Sequence, residues 1–314
     1  MTLPNQSARH VAEPRSGRRA AHAPHAAFWL LRERLLGRDE HVRPAALREL
    51  GALADAAPRL RPDVVGAVCE FLRSPWSQPP AADLLGGGHQ VDVRRAAFGM
   101  LADHLRDPSV DTTWAGLDLD LAGAVLVGAD FSGCSFTAGR VRLEGAWCIE
   151  GRMSFDGARF LGAHVSLRHW TSSQGRLSFE GARFSAGTVT LAGAGLDSGT
   201  LRLCGAIVDG GTLTFADARI AGAVLDLTGI GVTRGLLSFT DVTATGGRLL
   251  LVDARLLGGL TELRHVRLAP GVLSLAGVQA APDAVDTTGT DLDAAGSGWA
   301  RPRPAEQGRR ALRG

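Results

Sequence analysis

The most regular feature of the chain is a pattern of apolar residues that repeats every twelve positions between Gly139 and Pro282. The stretch divides into twelve consecutive units without insertion, as in Gly151–Phe160 (GRMSFDGARF) and Gly175–Phe184 (GRLSFEGARF). The fifth position is apolar in every unit and the third in all but one, while the eighth and tenth form a second pair, usually of a small and a larger apolar residue. Residues two apart point to the same side of an extended strand, so each unit predicts two short strands. The helical spacing of i, i+3, i+4 is missing here.

Glycine marks the places where the repeating chain must turn. The first position of each unit is Gly except at Ala163 and Ala223, and the seventh is usually Gly. Glycine reaches positive φ without the penalty that a Cβ atom causes. One unit cannot bury its own apolar face, whereas stacked units form a continuous core. The pattern therefore predicts a mainly β fold, with a parallel β-helix over residues 113–285.

A different, helical pattern precedes the repeats. The predicted helices cover residues 28–36, 42–53, 62–72 and 93–105, with a Pro/Gly linker at 74–88. Together they predict a small HEAT-like α-helical domain over 26–110, which would cap the open first coil of the β-helix. The polar segments 1–25 and 286–314 are expected to be disordered tails.

Upstream of the twelve-residue units the same pattern occurs in a shorter form. Ala124–Gly128 (AVLVG) and Ala129–Gly133 (ADFSG) are five-residue steps. These steps resemble the pentapeptide-repeat family, and the longer units resemble its expanded actinobacterial variants; the resemblance covers roughly residues 116–282. It implies a right-handed β-helix with four steps per coil, and hence two units, about 24 residues, in each coil. Coils of twelve residues are the alternative, but they leave no room for columns of Phe and Leu.

Charge and targeting signals narrow the classes of function. The net charge is +2, and residues 116–280 contain 14 acidic side chains against 14 Arg. This balance gives no strong case for nucleic-acid binding and argues against mimicry of DNA. The chain shows no signal peptide and no apolar run long enough to span a bilayer. We therefore expect a cytoplasmic protein for which membrane association is unlikely.

The sequence contains no recognisable catalytic or metal site. The four Cys lie far apart, without a CxxC pair, and are expected to be free thiols. Ser at the fourth repeat position lacks a paired His and acid. We therefore expect no catalytic residues, no metal ligands and no cofactors, and hence no enzyme. Acids at the sixth position and Arg at the ninth are expected to pair across neighbouring coils at the surface.

One irregular unit, Ala163–Gln174, offers the best candidate for an interaction patch. It contains two His, one at the seventh position, where Gly is usual, beside a Trp. His265 also holds a seventh position, which favours a structural reading, and tolerated surface variation is the alternative for the whole unit. The candidate patch comprises His164, His169, Trp170, Arg159 and Arg183.

Three functions from different classes compete. The favoured one is a non-enzymatic protein-interaction scaffold with an unidentified protein partner. The alternative, implied by the resemblance, is a resistance protein that mimics DNA and binds a topoisomerase, DNA gyrase. Ice or polysaccharide binding on a flat face is disfavoured because the fourth position is too mixed: Arg142, Ser154, Ser166, Ser178, Thr190, Arg202, Thr214, Asp226. Homodimerisation through the C-terminal coil is left open.

Overall fold

The described part of the chain forms a parallel β-solenoid of about seven turns, preceded by a small region of four helices. The computed structural model describes residues 16–75, 88–148, 151–171 and 176–293. The fold class expected from the repeat, a mainly β parallel solenoid with a helical N-terminal domain, is therefore confirmed.

The four predicted helices are present, with longer bounds than the pattern indicated. They are α1 (Ser16–Leu36), α2 (Arg43–Ala56), α3 (Arg61–Arg73) and α4 (His89–Arg106). Two short 3-10 turns, Glu40–Val42 and Pro58–Leu60, precede α2 and α3. Helix α1 begins twelve residues before Phe28, so the expected disorder of 1–25 is corrected from Ser16 onward; 1–15 lie outside the described residues.

Twenty-four short strands build the solenoid in the described part of the chain. They are β1 (Leu119–Asp120), β2 (Val125–Leu126), β3 (Ala129–Asp130), β4 (Ser135–Phe136), β5 (Arg140–Arg142), β6 (Trp147–Cys148), β7 (Arg152–Ser154), β8 (Arg159–Ser166), β9 (Arg176–Ser178), β10 (Arg183–Thr190), β11 (Gly195–Leu196), β12 (Thr200–Arg202), β13 (Ile207–Thr214), β14 (Arg219–Ile220), β15 (Val224–Asp226), β16 (Gly231–Ser238), β17 (Thr243–Ala244), β18 (Arg248–Leu250), β19 (Arg255–Leu256), β20 (Leu260–Glu262), β21 (Arg267–Leu268), β22 (Leu273–Ser274), β23 (Gln279–Ala280) and β24 (Val285–Asp286).

Strand pairing fixes the size of a coil. Arg183 pairs in parallel with Arg159 on one side and with Ile207 on the other, a spacing of 24 residues in each direction. The prediction of two units per coil is therefore confirmed over the twelve-residue alternative. The first coil is shorter, because Leu119 pairs with Val141, 22 residues on.

Two units per coil mean that alternate units lie on the same side of the solenoid. The second to fourth positions of one set of units, together with β3 from the five-residue steps, form a seven-stranded sheet, here called the seven-stranded wall. Its strand order is β3-β7-β9-β12-β15-β18-β22. The same positions of the other set lie in the long strands β8, β10, β13 and β16. Each long strand continues from the preceding ninth and tenth positions, and the register shift at Ala186 in β10 marks its bend.

The interior is filled by columns of stacked side chains, as the repeat predicted. Residues at the fifth position are fully buried in coil after coil, and the rings of Phe155 and Phe179 stack with centroids 4.8 Å apart. The tenth position forms a second column, in which Phe160 and Phe184 stack at 4.9 Å. These parallel rings bury large apolar areas at the spacing of neighbouring strands, which makes the core continuous from coil to coil.

The seventh position of the repeat has a left-handed backbone whatever residue occupies it. All five non-glycine residues with positive φ in the described part of the chain stand there: His169, Asp217, Asp241, Asp253 and His265. Their φ angles lie between 52° and 59°. The structural reading of His at this position is therefore confirmed, because the turn demands a conformation that Asp and His adopt more readily than bulky residues.

The helical domain covers the first coil through specific contacts. Arg94 of α4 is 1% exposed and donates hydrogen bonds to the carbonyls of Leu72 (2.7 Å), Ser74 (2.8 Å) and Val125 (3.2 Å), the last in the first coil. Phe98 meets Phe131 edge to face at 4.7 Å. Burial, and then the charge of Arg43, lower the pKa of Arg94 to about 10, so the side chain stays protonated at neutral pH.

The solenoid continues past its predicted end. Asp286 pairs with Glu262 on β20, its carboxylate accepts hydrogen bonds from the amide (2.9 Å) and hydroxyl (2.6 Å) of Thr288, and Leu292 is buried. The expectation of a disordered tail from residue 286 is therefore wrong up to Asp293. Residues 294–314 lie outside the described residues.

Candidate functional site

The outer surface of the seven-stranded wall carries two columns of side chains whose lengths change along the rod. The second repeat position presents Arg152, Arg176, Thr200, Val224 and Arg248 in successive coils. The fourth position presents Ser154, Ser178, Arg202, Asp226 and Leu250 in the same coils. The first column therefore becomes short where the second becomes long, which leaves a depression between them.

This depression is a polar groove with a volume of about 490 Å³. Arg152 and Arg176 line it from one column and Arg202 from the other, while the hydroxyl-bearing residues Ser178 and Thr200 lie between them. Asp156, Glu180 and Asp226 complete its polar lining. The groove therefore combines three guanidinium groups, three carboxylates and two hydroxyls on one sheet face.

Two of the three carboxylates accept hydrogen bonds from neighbouring protein groups. Asp156 accepts hydrogen bonds from the Ser178 hydroxyl and the Glu180 amide, the latter at 2.9 Å, and its other oxygen lies 3.5 Å from Arg152. Asp226 accepts from the hydroxyl (2.6 Å) and amide (3.1 Å) of Thr228. Burial raises the pKa of Asp226, but the bonds from Thr228 outweigh it and hold that pKa below its usual range.

The guanidinium groups of the groove differ in what surrounds them. Arg152 pairs with Asp156, and Arg202 lies 3.7 Å from Glu180. The guanidinium of Arg176 forms no ion pair or hydrogen bond within the ranges that the structure describes, although the residue pairs in register with Arg152 through the backbone. Sequence reasoning missed this groove because it depends on which units share a wall.

The structure places the five residues of the candidate interaction patch on two neighbouring strands, in a turn and in the core. Trp170 is 2% exposed and lies in the core, so its assignment to a surface patch is corrected. The repeat could have indicated this burial, because Trp170 holds the eighth position, whose side chains point inward in the other units as well. His164 and His169 are exposed, but His164 lies on β8 and His169 in the following turn.

Arg159 and Arg183 lie side by side on neighbouring coils, in register on β8 and β10. Arg159 donates to the Ser135 hydroxyl (3.1 Å) and, less closely, to the Arg106 carbonyl (3.4 Å). Arg183 pairs with Asp209, whose carboxylate is buried. The pairing partner is at the eleventh position rather than the expected sixth, because the side chain reaches the bend of the next coil.

A second polar column lies on the second half of the long strands. Four successive coils place a hydroxyl in register at the fourth position: Ser166, Thr190, Thr214 and Ser238. Thr214 is half-buried and the other three are buried. Thr188 and Thr212 add a second column beside them. The objection that the fourth position is too mixed holds only when consecutive units are compared, because alternate units share this face. The column of hydroxyls is bounded by charged residues, since Arg142 pairs in register with Ser166 at its N-terminal end and Glu262 with Ser238 at its C-terminal end.

The acids of the solenoid are interleaved with arginines. Arg142 lies 3.5 Å from Asp120 and 3.8 Å from Glu144. Arg264 in the same way lies between Glu262 (3.7 Å) and Asp286 (3.5 Å). Such exposed pairs each contribute only about 0–1 kcal/mol, but they leave no continuous acidic surface at these coils.

The thiols of three cysteines are held in their protonated form by burial. Burial raises the pKa of Cys69 and Cys134 to about 12 and that of Cys204 to about 11. Within the described ranges no group of three or more His, Cys, Asp or Glu is placed to hold a metal ion. No helix in the described part of the chain has both the length and the apolar character needed to cross a bilayer.

Comparison of the chain with protein-family models, with curated proteins and with solved structures found no match.

Proposed function

We propose that this protein is a non-enzymatic interaction scaffold of the cytoplasm, a variant of the pentapeptide-repeat architecture that presents fixed surfaces to a protein partner. The observation that carries the proposal is the single hydrophobic core, which extends from Phe28 in α1 to Leu292 in the last coil. A solenoid is held by contacts between neighbouring repeats, so a continuous core keeps its outer side chains at fixed separations.

The helical domain offers the most exposed apolar surface for such a partner. Trp29 and Leu30 on α1 are 61% and 59% exposed, whereas Phe28 and Leu31 beside them are buried. Arg32 lies 5.6 Å from the Trp29 ring. An exposed aromatic residue beside Arg is the combination enriched at the energetic centres of protein interfaces.

The arrangement of charge supports the scaffold over the DNA mimic. A mimic needs a continuous acidic surface to compete with a duplex for a basic groove. Arg142 and Arg264 instead each stand between two acids on successive coils. This interleaving leaves little long-range attraction for a gyrase subunit.

The test uses the full chain in two assays. Cross-linking in cell extract, with wild-type protein and a Trp29→Ser/Leu30→Ser variant, should give a defined complex that the variant loses while its thermal unfolding is unchanged. Purified DNA gyrase supplies the second assay, in which we expect no binding and no inhibition of supercoiling. Inhibition at stoichiometric protein would favour the mimic, and the absence of any cross-linked complex would contradict the scaffold. Light scattering of the purified protein separates a homodimer from a complex with another protein.

A further inference from the structure

We propose that the groove on the seven-stranded wall binds a small molecule that carries an oxyanion beside hydroxyl groups, a phosphorylated or carboxylated sugar, with Arg176 as its anchoring side chain. This inference is independent of the proposed scaffold function, since it concerns a small-molecule site rather than a protein interface.

The first argument is a pair of like charges, of which only Arg152 has an ion-pair partner among the described residues. Arg152 and Arg176 stand in register on adjacent parallel strands. Like charges directly opposite each other destabilise a sheet. Asp156 lies 3.5 Å from Arg152, but no carboxylate in the described part of the chain lies within ion-pair distance of Arg176. A bound oxyanion would remove this repulsion.

The second argument is the set of hydrogen-bond donors that the groove leaves available. Among the described residues no group accepts a hydrogen bond from the guanidinium of Arg176, whose planar fork binds carboxylate or phosphate through two parallel bonds. Arg202 lines the opposite side, and its 3.7 Å separation from Glu180 is too long for a hydrogen bond. Asp156 and Asp226 already accept hydrogen bonds from protein donors, so they do not take up the donors of Arg176.

The third argument concerns the rest of the ligand. Thr200 contributes a hydroxyl and Glu180 a carboxylate to the same lining, and these groups pair with ligand hydroxyls. The volume of about 490 Å³ falls within the range of small-molecule sites. A single sugar ring with one anionic substituent matches both the size and the groups.

The test is calorimetric titration of the full chain with glucose 6-phosphate, glucuronic acid, inorganic phosphate and glucose. We expect one of the two anionic sugars to bind, and which of them binds identifies the oxyanion as phosphate or carboxylate. Inorganic phosphate should bind more weakly than the anionic sugar, and glucose should not bind. Equal binding of inorganic phosphate or of glucose would overturn the proposal, as would the absence of binding up to about 10 mM.

Arg248 provides the matched control. It occupies the same column of the same wall, is exposed, and lies outside the groove lining. Arg176→Gln should weaken binding of the anionic sugar about ten-fold or more, since charge-assisted bonds are among the strong ones. Arg248→Gln should change it less than about two-fold. Equal weakening by the two variants, each checked for unchanged thermal unfolding, would show non-specific attraction and overturn the site.

Discussion

The close stacking of the coils can be tested at Gly247. This residue has a φ of +69°, and a Cβ atom there would lie 2.1 Å from the carbonyl oxygen of Ala223 in the preceding coil. Gly271 holds the same repeat position one coil later, with a φ of +75°, and a Cβ there would meet nothing within 4 Å. The two glycines thus share a backbone conformation and differ in the space around them.

The expected losses of stability follow from the backbone conformation and from the space around each glycine. Alanine in the left-handed region costs roughly 1–2 kcal/mol, which applies to both Gly247→Ala and Gly271→Ala. Only Gly247→Ala also pushes a methyl group into a backbone oxygen, so the two coils must move apart locally. Overpacking of this kind costs about 1–3 kcal/mol more. We therefore expect the free energy of unfolding to fall by about 1–2 kcal/mol in Gly271→Ala and by about 2–5 kcal/mol in Gly247→Ala.

Urea unfolding followed by circular dichroism measures this difference, provided that the slope against urea is the same in all variants. Gly187→Ala repeats the test at another corner, because its Cβ would lie 2.2 Å from the carbonyl oxygen of Ala163. Equal losses in Gly247→Ala and Gly271→Ala would refute the reasoning: the glycine would then serve only the turn, and the coils would have room to accept a methyl group.

Three further predictions concern named side chains. Arg94→Met should lower the free energy of unfolding by about 3 kcal/mol or more in urea titration, because buried carbonyls lose their donor. Arg95→Met, on the exposed side of α4, should change this free energy by less than about 1 kcal/mol. Similar losses in the two variants would contradict the role of Arg94. Asp226→Asn should destabilise the protein at pH 7 but not below the folded pKa of Asp226. Because that pKa is lowered in the folded state, the carboxylate stabilises the protein above about pH 4, and this stabilisation disappears on acidification. A difference in stability that does not change with pH would rule this out. Cys204 should react with a thiol reagent before Cys134, whose burial and pKa of about 12 should protect it until unfolding; the reverse order in mass-spectrometric mapping would contradict the structure.

The fold could be predicted because every inward position obeys one rule. Apolar residues at the third and fifth positions specify the core whichever wall they reach, and the coil length follows from the space that Phe and Leu columns need. The same rule places Trp170 inward, so this residue alone of the candidate patch could have been assigned to the core from its position in the repeat.

The candidate site could not be predicted because it depends on contacts between residues one coil apart. Arg176 and Thr200 are separated by 24 residues, and their neighbourhood decides the depth of the groove. Consecutive units in the sequence lie on two different walls, so reading them in order does not show which side chains are neighbours in the structure. The hydroxyl column from Ser166 to Ser238 was missed for the same reason, although all its residues are visible in the sequence.

Alternation of units between two walls also constrains how any partner recognises the rod. A ligand on the seven-stranded wall contacts Ser178 and Arg202 but not Thr190, which lies between them in sequence and on a different face. Substitutions that weaken binding to one wall should therefore recur with a period of 24 residues, while a loss with a period of twelve would require contact with both walls at once. A scan of the second positions from Arg140 to Leu260 distinguishes these cases, because these side chains are exposed or half-buried and lie outside the inward columns that hold the coils together.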